Sequence, residues 1–407
     1  MKNTFWMVLA EGISKGSTFF ITFLIAKTLG AEQFGIYSFV MSFVALFVVF
    51  TDFGLTTIMV RDVSRDHSKI NDYLVNLSFL KIILGIITFL LVWIVSQFIG
   101  KNDIYITLIL IYTLYSIINN FGEFIRAFFR PSEKMEFEAI LKVINGISVL
   151  LIVGLAMYFL GDLVSISYAF LISGILSLII SLISVYNKIS TKKFKLLGKD
   201  FYNQVLKNGL LLMSGTLFIT IYISSDQLIM GLNNQIKDLG VYSLAYKITL
   251  MYCLFSGIFF QVLLPKISGS NYVDNIKENY SKYLKKIFKF NLSIFILVEL
   301  ITYFIGFYLK FDLGEYNKLY IILMYLFIYC LIEPLGNWSY INLISIKKEK
   351  VYLIFVLITA IINLGGNLIL IPKYSYNGAI FTTILSYLVI FLLCYIYLKI
   401  NLKKIKI

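Results

Sequence analysis

The chain alternates long apolar runs with short polar breaks along its whole length. Twelve of these runs have about the twenty residues that a helix needs to cross a bilayer's hydrocarbon core. Because backbone polar groups find no water inside a bilayer, each run is predicted to be an α-helix. The predicted spans are 5–28, 35–60, 73–99, 104–129, 139–160, 164–186, 205–230, 240–265, 287–309, 317–345, 351–371 and 377–398. Glycines are expected to mark turns between spans at Gly30, Gly100, Gly161 and Gly314.

The composition agrees with this pattern. Hydrophobic residues make up 59% of the chain and charged residues only 14%, whereas soluble domains carry roughly 25% charge. The chain is therefore predicted to be an all-α, polytopic membrane protein. The first apolar run reaches transmembrane length, so no cleaved signal peptide is expected.

The basic residues predict the orientation of the spans. If the amino terminus is cytoplasmic, 26 of the 36 lysines and arginines fall in inside segments and 5 in outside loops. This asymmetry follows the positive-inside rule and predicts that both termini are cytoplasmic. Anionic lipids of the inner leaflet suffice to explain the net charge of +14, so no nucleic-acid partner is expected.

A short sequence occurs twice, half a chain apart. "FGIYS" at Phe34–Ser38 and "LGVYS" at Leu239–Ser243 each begin a span after an outside loop. The chain is thus predicted to form two parallel six-helix bundles, residues 1–190 and 205–407, joined by a cytoplasmic basic linker at 191–204. Parallel repeats of this kind are typical of transporters, which place their substrate path between the halves.

Signatures of catalysis are absent from the sequence. "GISKGS" at Gly12–Ser17 lacks the spacing of a phosphate-binding loop, and no helix carries a zinc-binding His-Glu-x-x-His. The single histidine, His67, is expected to be a solvated loop residue. The cysteines are expected to be unpaired core residues: Cys253, Cys330 and Cys394. We therefore expect no enzyme activity, no catalytic residue and no metal site. The only cofactor we consider is a coupling ion, H⁺ or Na⁺.

Four motifs in sequence order resemble those of the polysaccharide-biosynthesis flippases. They are "TDFGLTTIMVRDVSRD" (Thr51–Asp66), "FIRAFFRPSEKM" (Phe124–Met135), "SSDQLIMGLNNQIKDLGVYSLAYKI" (Ser224–Ile248) and "NLGGNLILIPKYSYNGAIFTTILSY" (Asn363–Tyr387). The resemblance covers essentially the whole chain. It places the chain in the multidrug/oligosaccharidyl-lipid/polysaccharide exporter superfamily. The related lipid II flippases typically have two extra helices, which this chain lacks.

The resemblance implies a flippase of the bacterial cytoplasmic membrane. Such proteins move undecaprenyl-pyrophosphate-linked oligosaccharides to the outer leaflet by alternating access, for O-antigen, capsule or related polysaccharides. The implied partners are the polyprenyl-pyrophosphate-linked oligosaccharide, membrane lipids, and a polymerase and glycosyltransferases of the same pathway. Two alternatives remain open: a cation-coupled exporter of drug-like solutes, and a non-transporting membrane enzyme or scaffold. The short outside loops favour transport over catalysis.

Basic residues inside spans are the candidate ligands for an anionic cargo. An ionisable group there costs roughly 2.5–3.5 kcal/mol, so it usually faces a cavity or a partner. The candidate substrate-binding residues are Lys15, Lys27, Arg126 and Lys247. By resemblance, Lys15 and Lys27 match two cationic first-helix positions of the lipid II flippases. Lys27 could instead snorkel to the interface, as is expected of Lys81.

Acidic residues inside spans are the candidates for gating or ion coupling, namely Glu11, Asp52, Glu123, Asp226, Glu299 and Glu333. The spacing predicts that Glu11 pairs with Lys15 and that Glu123 pairs with Arg126. For Asp52, next to Phe53-Gly54, helix packing is the alternative role, and for Asp226 it is helix capping. Glu299 and Glu333 are the most deeply placed acids of the second half. Glu333 precedes Pro334, where a kinked or broken helix is expected; the alternative for both is a protonated carboxyl hydrogen-bonded within the bundle.

Overall fold

The computed structural model describes residues 2–132, 134–186, 195–267, 276–304, 314–346 and 348–401. Within these ranges the chain is helical and contains no strand. It divides into two compact units, Met1–Thr220 and Ile221–Ile407.

The first unit contains six complete helices. They are α1 (Lys2–Asp52), α2 (Leu55–Arg65), α3 (Ile70–Gln97), α4 (Asp103–Arg126), α5 (Met135–Phe159) and α6 (Leu163–Tyr186). Short 3₁₀ turns follow α2 and α4 at His67–Lys69 and Ala127–Phe129. The first part of α7 (Lys199–Leu232) also belongs to this unit.

The second unit contains the rest of α7 and five further helices. They are α8 (Ile236–Ile267), α9 (Ile276–Tyr303), α10 (Leu319–Ser345), α11 (Glu349–Tyr374) and α12 (Tyr376–Asn401). A 3₁₀ turn, Gly314–Tyr316, precedes α10.

Nine helical segments within the described ranges are long and apolar enough to cross a membrane. One of them, Ala10–Arg65, holds two predicted spans, so the nine segments account for ten of the twelve predicted spans. Helices α8 and α9, whose side chains are described only in part, correspond to the other two. The prediction of an all-α membrane protein with twelve spanning helices is confirmed.

The glycines expected at turns all adopt the left-handed backbone region. Their φ angles are 78° at Gly30, 68° at Gly100, 70° at Gly161 and 55° at Gly314. Gly30 separates the two spans that α1 contains, because its φ of 78° and ψ of 174° interrupt the helix. Glycine reaches these angles without the steric cost of a Cβ atom.

The predicted second span, 35–60, is not one helix, and this expectation was wrong. The chain breaks between α1 and α2 at Phe53 and Gly54, whose φ angles are 48° and 73°. Helix α7 crosses this break closely: a Cβ atom on Gly54 would lie 2.7 Å from Leu212 Cβ, and one on Gly209 would overlap the Phe53 carbonyl oxygen. Two glycines that face each other across the crossing make this approach sterically accessible.

The segment before α7 is held by the start of α3. Asn76 donates from Nδ2 to the Lys195 carbonyl oxygen at 2.9 Å, and its Oδ1 accepts from the Leu197 amide at 3.0 Å and from the Tyr202 hydroxyl at 2.8 Å. Of the predicted linker, residues 191–194 lie outside the described residues, and the chain is helical from Lys199 onward. The predicted second bundle starts at 205, whereas the second compact unit starts at Ile221.

The two units repeat the same helix pairings. In the first unit α4 and α5 both pack on α6, and in the second α10 and α11 both pack on α12. The repeated tyrosines, Tyr37 and Tyr242, are both buried. The sequence repeat therefore corresponds to a structural repeat.

Candidate functional site

Helices α1 and α5 approach closely in the N-terminal part of the first unit. Helix α1 carries the small residues Ser14 and Ser17 there, and α5 carries Gly146. A Cβ atom on Gly146 would lie 3.2 Å from Ser14 Cα. Small residues allow membrane helices to pack with their backbones close together. One turn before this contact, Glu11 of α1 faces Lys142 of α5.

Glu11 is shared by two lysines. Lys142 Nζ donates to Glu11 Oε1 at 2.5 Å, and Lys15 Nζ lies 3.8 Å from Glu11 Oε2. The predicted contact between Glu11 and Lys15 is present, but the shorter contact, to Lys142, was missed. The Lys15 contact follows from i, i+4 spacing within one helix, whereas the Lys142 contact depends on how two helices pack.

A second acid extends this set of charges. Glu138 is fully buried, and Arg130 binds both of its carboxylate oxygens, with Nη2 at 2.7 Å from Oε1 and Nε at 2.9 Å from Oε2. These hydrogen bonds raise the pKa of Arg130 above its usual range. Lys142 Nζ lies 3.7 Å from Glu138 Oε1. We call Lys15, Glu11, Lys142, Glu138 and Arg130 the α1–α5 charge chain; it contains three bases and two acids.

Asp52 and Lys81 form a buried ion pair, and the expectation that Lys81 snorkels was wrong. Lys81 Nζ lies 2.6 Å from Asp52 Oδ1 and 2.7 Å from Asn120 Oδ1, and 5.1 Å from the centre of the Phe124 ring. Its side chain is only 1% exposed. A buried cation needs a counter-charge and hydrogen bonds, and Asp52 and Asn120 supply both. The geometry favours the packing role for Asp52.

A sequence signal for this pair exists. Asp52 and Lys81 each lie eight residues from the loop ends of the predicted spans 35–60 and 73–99. In a helical hairpin, equal distances from the loop place two residues at similar depth. An acid and a base at matched depth in consecutive spans thus indicate a pair.

Arg126 is enclosed within the first unit. It is 2% exposed, and its Nη1 lies 3.4 Å from the hydroxyl oxygens of both Ser177 and Ser181 on α6. Gly122 leaves room for the guanidinium group, since a Cβ atom at this position would lie only 3.1 Å from Nη1. Glu123 is exposed, and the ion pair expected between it and Arg126 does not form among the described residues. The Arg126 side chain turns toward α6 instead.

The repeated tyrosines face different partners in the two units. Tyr242 donates a short hydrogen bond to the Asp226 carboxylate, which also accepts from the Gln227 amide at 2.8 Å. The Tyr37 ring contacts those of Tyr112 and Phe170, with centroids 5.6 Å and 6.4 Å away. Asp226 is 3% exposed and is therefore removed from the surface of the second unit.

A buried polar cluster lies beside Asp226. Ser225 donates to Asn363 Oδ1 at 2.8 Å, and Asn367 Nδ2 lies 3.0 Å from Ser225 Oγ and 3.1 Å from Asn363 Oδ1. Thr382 donates to Asn367 Oδ1. The structure thus brings together two of the four family-like motifs, on α7, α11 and α12. The sequence analysis named Asp226 as a candidate but none of the four cluster residues; the two asparagines at i, i+4 in an apolar run were the available signal.

The other candidate bases have no ion pair within the described part of the chain. Lys27 is exposed on α1, and Lys247 is partly exposed on α8.

The two deep acids of the second half are not brought into one site. Glu299 Oε1, on α9, is buried and has no hydrogen-bond partner among the described residues. Glu333 Oε1, on α10, accepts from Asn337 Nδ2 at 2.5 Å. A kinked or broken helix was expected at Pro334; the helix runs through it from Leu319 to Ser345, so it is not broken there. Asn337 lies on the same helix face one turn later, so this hydrogen bond forms within the helix.

The cysteines and the histidine lie where the sequence predicted. All three cysteines are free and buried, and Cys253 Sγ lies 3.7 Å from Cys330 Sγ. His67 is exposed in its 3₁₀ turn. Among the described residues, no three His, Cys, Asp or Glu side chains are grouped as metal ligands.

Comparison with known proteins gives a family and two relatives. The family model described as polysaccharide biosynthesis protein matches residues 1–271. The chain is 25% identical to the capsular polysaccharide biosynthesis protein CapF of Staphylococcus aureus, over 98% of this chain and 99% of that protein. It is 22% identical to an uncharacterized membrane protein of Methanocaldococcus jannaschii, over 96% of each.

Two solved structures share the fold. The lipid II flippase MurJ, in an inward closed conformation, matches with a TM-score of 0.78 and 18% identity over 96% of this chain and 87% of that chain. The MATE multidrug transporter DinF-BH matches with a TM-score of 0.67 and 16% identity over 98% of this chain and 94% of that chain. At these identities the likeness concerns the fold.

Proposed function

The chain belongs to the polysaccharide biosynthesis protein family, and from this premise we propose that it is a flippase for undecaprenyl-pyrophosphate-linked oligosaccharides. It moves the repeat unit from the cytoplasmic to the outer leaflet of a bacterial cytoplasmic membrane by alternating access, with both of its own termini cytoplasmic. The product serves O-antigen, capsule or related polysaccharide export. Glycosyltransferases supply the cargo and a polymerase consumes it.

The observation that carries this proposal is the excess of positive charge in the α1–α5 charge chain. A pyrophosphate diester has about two negative charges, and these must be shielded from hydrocarbon while the head group crosses. The ammonium group of Lys15 is exposed at the end of the charge chain, so it is available to an anionic head group. Lys27 lies about 18 Å further along α1 and offers a second cation at another depth.

Two other predicted ligands enter the proposal differently. The guanidinium group of Arg126 is enclosed by α4 and α6, so it acts on the cargo through its charge or after these helices move. Lys247, on α8, is the predicted ligand that the second unit contributes.

The polar cluster beside Asp226 supports coupling to a cation, H⁺ or Na⁺. Amide and hydroxyl oxygens from α7, α11 and α12 converge there, and oxygen is the ligand atom that a hard cation prefers. Asp226 directly follows Ser225 of this cluster, whereas Glu333 and Asn337 lie on α10, which contributes no residue to the cluster. Asp226 is therefore our first candidate for coupling, ahead of Glu299 and Glu333.

A second candidate function is a cation-coupled exporter of drug-like solutes, because the chain shares its fold with the multidrug transporter DinF-BH. The same coupling acid would serve such an exporter. The excess positive charge beside Lys15 disfavours the drug exporter, because many drug-like solutes are themselves cations and would be repelled.

Purified protein in proteoliposomes tests the proposal. Undecaprenyl-pyrophosphate-linked oligosaccharide is placed in both leaflets, and an externally added glycosidase reports how much becomes accessible over time. We expect near-complete cleavage with the protein and about half in empty liposomes. Transport of a cationic rhodamine dye without movement of the lipid would support the drug exporter. Movement of neither would support the non-transporting enzyme or scaffold.

A further inference from the structure

We propose that Lys142 is a further phosphate-binding residue and that Glu11 is a displaceable counter-ion for Lys142 and Lys15. The inference rests on the proposed function, since it assigns the residues that bind the pyrophosphate of the cargo.

Glu11 lies between two lysines of different helices. Its two carboxylate oxygens bind two different ammonium groups, Lys142 at 2.5 Å and Lys15 at 3.8 Å. A pyrophosphate also presents oxygens on two sides to two cations. The head group can therefore replace the carboxylate between the same two lysines.

Glu11, Lys15 and Lys142 together carry a net positive charge. The second acid near Lys142, Glu138, is already neutralised, because Arg130 binds both of its oxygens at 2.7–3.0 Å. Within the α1–α5 charge chain, Glu11 is then the acid left for the two lysines, and the group of three keeps one uncompensated positive charge. The cargo's about two negative charges match the two positive charges of the lysines, and the displaced Glu11 carboxylate turns to water or takes up a proton.

Lys142 is held in position and can be reached from the surface of α1. The contact of Gly146 with Ser14 fixes α5 against α1, so Lys142 is held in place before the cargo arrives. Preorganised cations lose little conformational entropy when they bind a ligand. The Lys142 side chain is 12% exposed, Glu11 37% and Lys15 53%, which leaves a path to Lys142 along Lys15 and Glu11.

Binding of sugar-free undecaprenyl pyrophosphate to the full-length protein in nanodiscs tests this assignment. We expect Lys142→Gln to weaken binding about tenfold, as for loss of one hydrogen bond to a charged group. Lys142→Arg should bind like the wild type. Glu11→Gln should bind severalfold more tightly, because the competing carboxylate is gone. Lys237→Gln is the matched control, since Lys237 also pairs with an acid, Glu315 at 3.7 Å, and should leave binding unchanged.

The double variant Glu11→Gln/Lys142→Gln separates binding from stability. It keeps a neutral hydrogen-bonding pair between α1 and α5, so the thermal midpoint should stay near that of the wild type while its binding stays about tenfold weaker than that of Glu11→Gln. Binding by the double variant as tight as that of Glu11→Gln, or weaker binding by Glu11→Gln than by the wild type, would overturn the inference. If the wild type itself does not bind the lipid, the proposed function fails and this inference with it. Wild-type binding that Lys142→Gln leaves unchanged removes this inference alone.

Discussion

The hydroxyl of Tyr242 donates a hydrogen bond to the buried carboxylate of Asp226. The repeat places Tyr37 at the matching position of the first unit, where its ring contacts those of Tyr112 and Phe170. The repeated tyrosines therefore differ in their neighbours, a carboxylate in the second unit and aromatic rings in the first. In the first unit the charge is concentrated instead between α1 and α5. The two units share a fold but differ in charge.

The first prediction concerns ion coupling at Asp226. Asp226→Asn keeps the size and most hydrogen bonds of the side chain but removes its charge. We expect transport in proteoliposomes to lose its acceleration by a proton or sodium gradient, while lipid binding is unchanged. Glu333→Gln is the comparison, because Glu333 lies on α10, which contributes no residue to the polar cluster beside Asp226. Transport by Asp226→Asn that still follows the gradient would exclude Asp226.

The second prediction concerns the buried pair of Asp52 and Lys81. Lys81→Met leaves the Asp52 carboxylate without its cation. Breaking a fully buried pair in this way costs about 3–5 kcal/mol, and the 29% exposure of Asp52 reduces the cost here. We expect a large fall in the thermal midpoint of the detergent-solubilised protein. The double variant Asp52→Asn/Lys81→Met should recover most of it, because no charge is left unpaired. Equal losses in the single and double variants would argue against a coupled pair.

The third prediction concerns the crossing of α7 over the break between α1 and α2. Gly209→Ala adds a methyl group where the Phe53 carbonyl oxygen lies. Overpacking of this kind costs about 1–3 kcal/mol. Gly198→Ala is the matched control, since nothing lies within 4 Å of the position its Cβ would take. A thermal midpoint lowered only by Gly209→Ala would confirm the close crossing, and equal midpoints would contradict it.

The fourth prediction concerns Lys15. Lys15→Ala removes the exposed end of the α1–α5 charge chain and should abolish glycan export in cells. The protein should remain expressed and inserted, because the Lys15 side chain is 53% exposed. Its partner Glu11 also still has its ion pair with Lys142. Lys15→Arg should retain export. Full export by the combined variant Lys15→Ala/Arg126→Ala would refute a cationic path in the first unit.

The fifth prediction concerns topology. Single cysteines at Lys193 and Lys373 should react with a membrane-impermeant reagent from opposite sides of the membrane; Lys193 lies outside the described residues. The native cysteines are buried, which keeps the background reaction low. In intact cells only the cysteine at 373 should be labelled. Labelling of both from outside would contradict cytoplasmic termini and a cytoplasmic linker.

The amino-acid sequence by itself determined the number of spans, the all-α class, the turn glycines and the repeat. The physical reason is that a bilayer sets the length of an apolar run and requires helix within it. Contacts within one helix could also be predicted from the sequence. The i, i+4 spacing of Glu11 and Lys15 predicts their contact, which the structure contains. The expected ion pair of Glu123 and Arg126 failed because the Arg126 side chain turns to a neighbouring helix.

Only the tertiary structure decided which helices face each other and with which side. The ion pairs of Lys81 with Asp52 and of Lys142 with Glu11 depend on helix packing. So does the hydrogen bond from Ser225 to Asn363 in the second unit. The tertiary structure also broke the second predicted span at Phe53, where α7 crosses. Inside a membrane, apolar side chains fit lipid and protein almost equally well, so hydropathy does not fix the rotation of a helix about its axis. Small residues and buried polar partners fix that rotation, and their effect depends on the helix that packs against them.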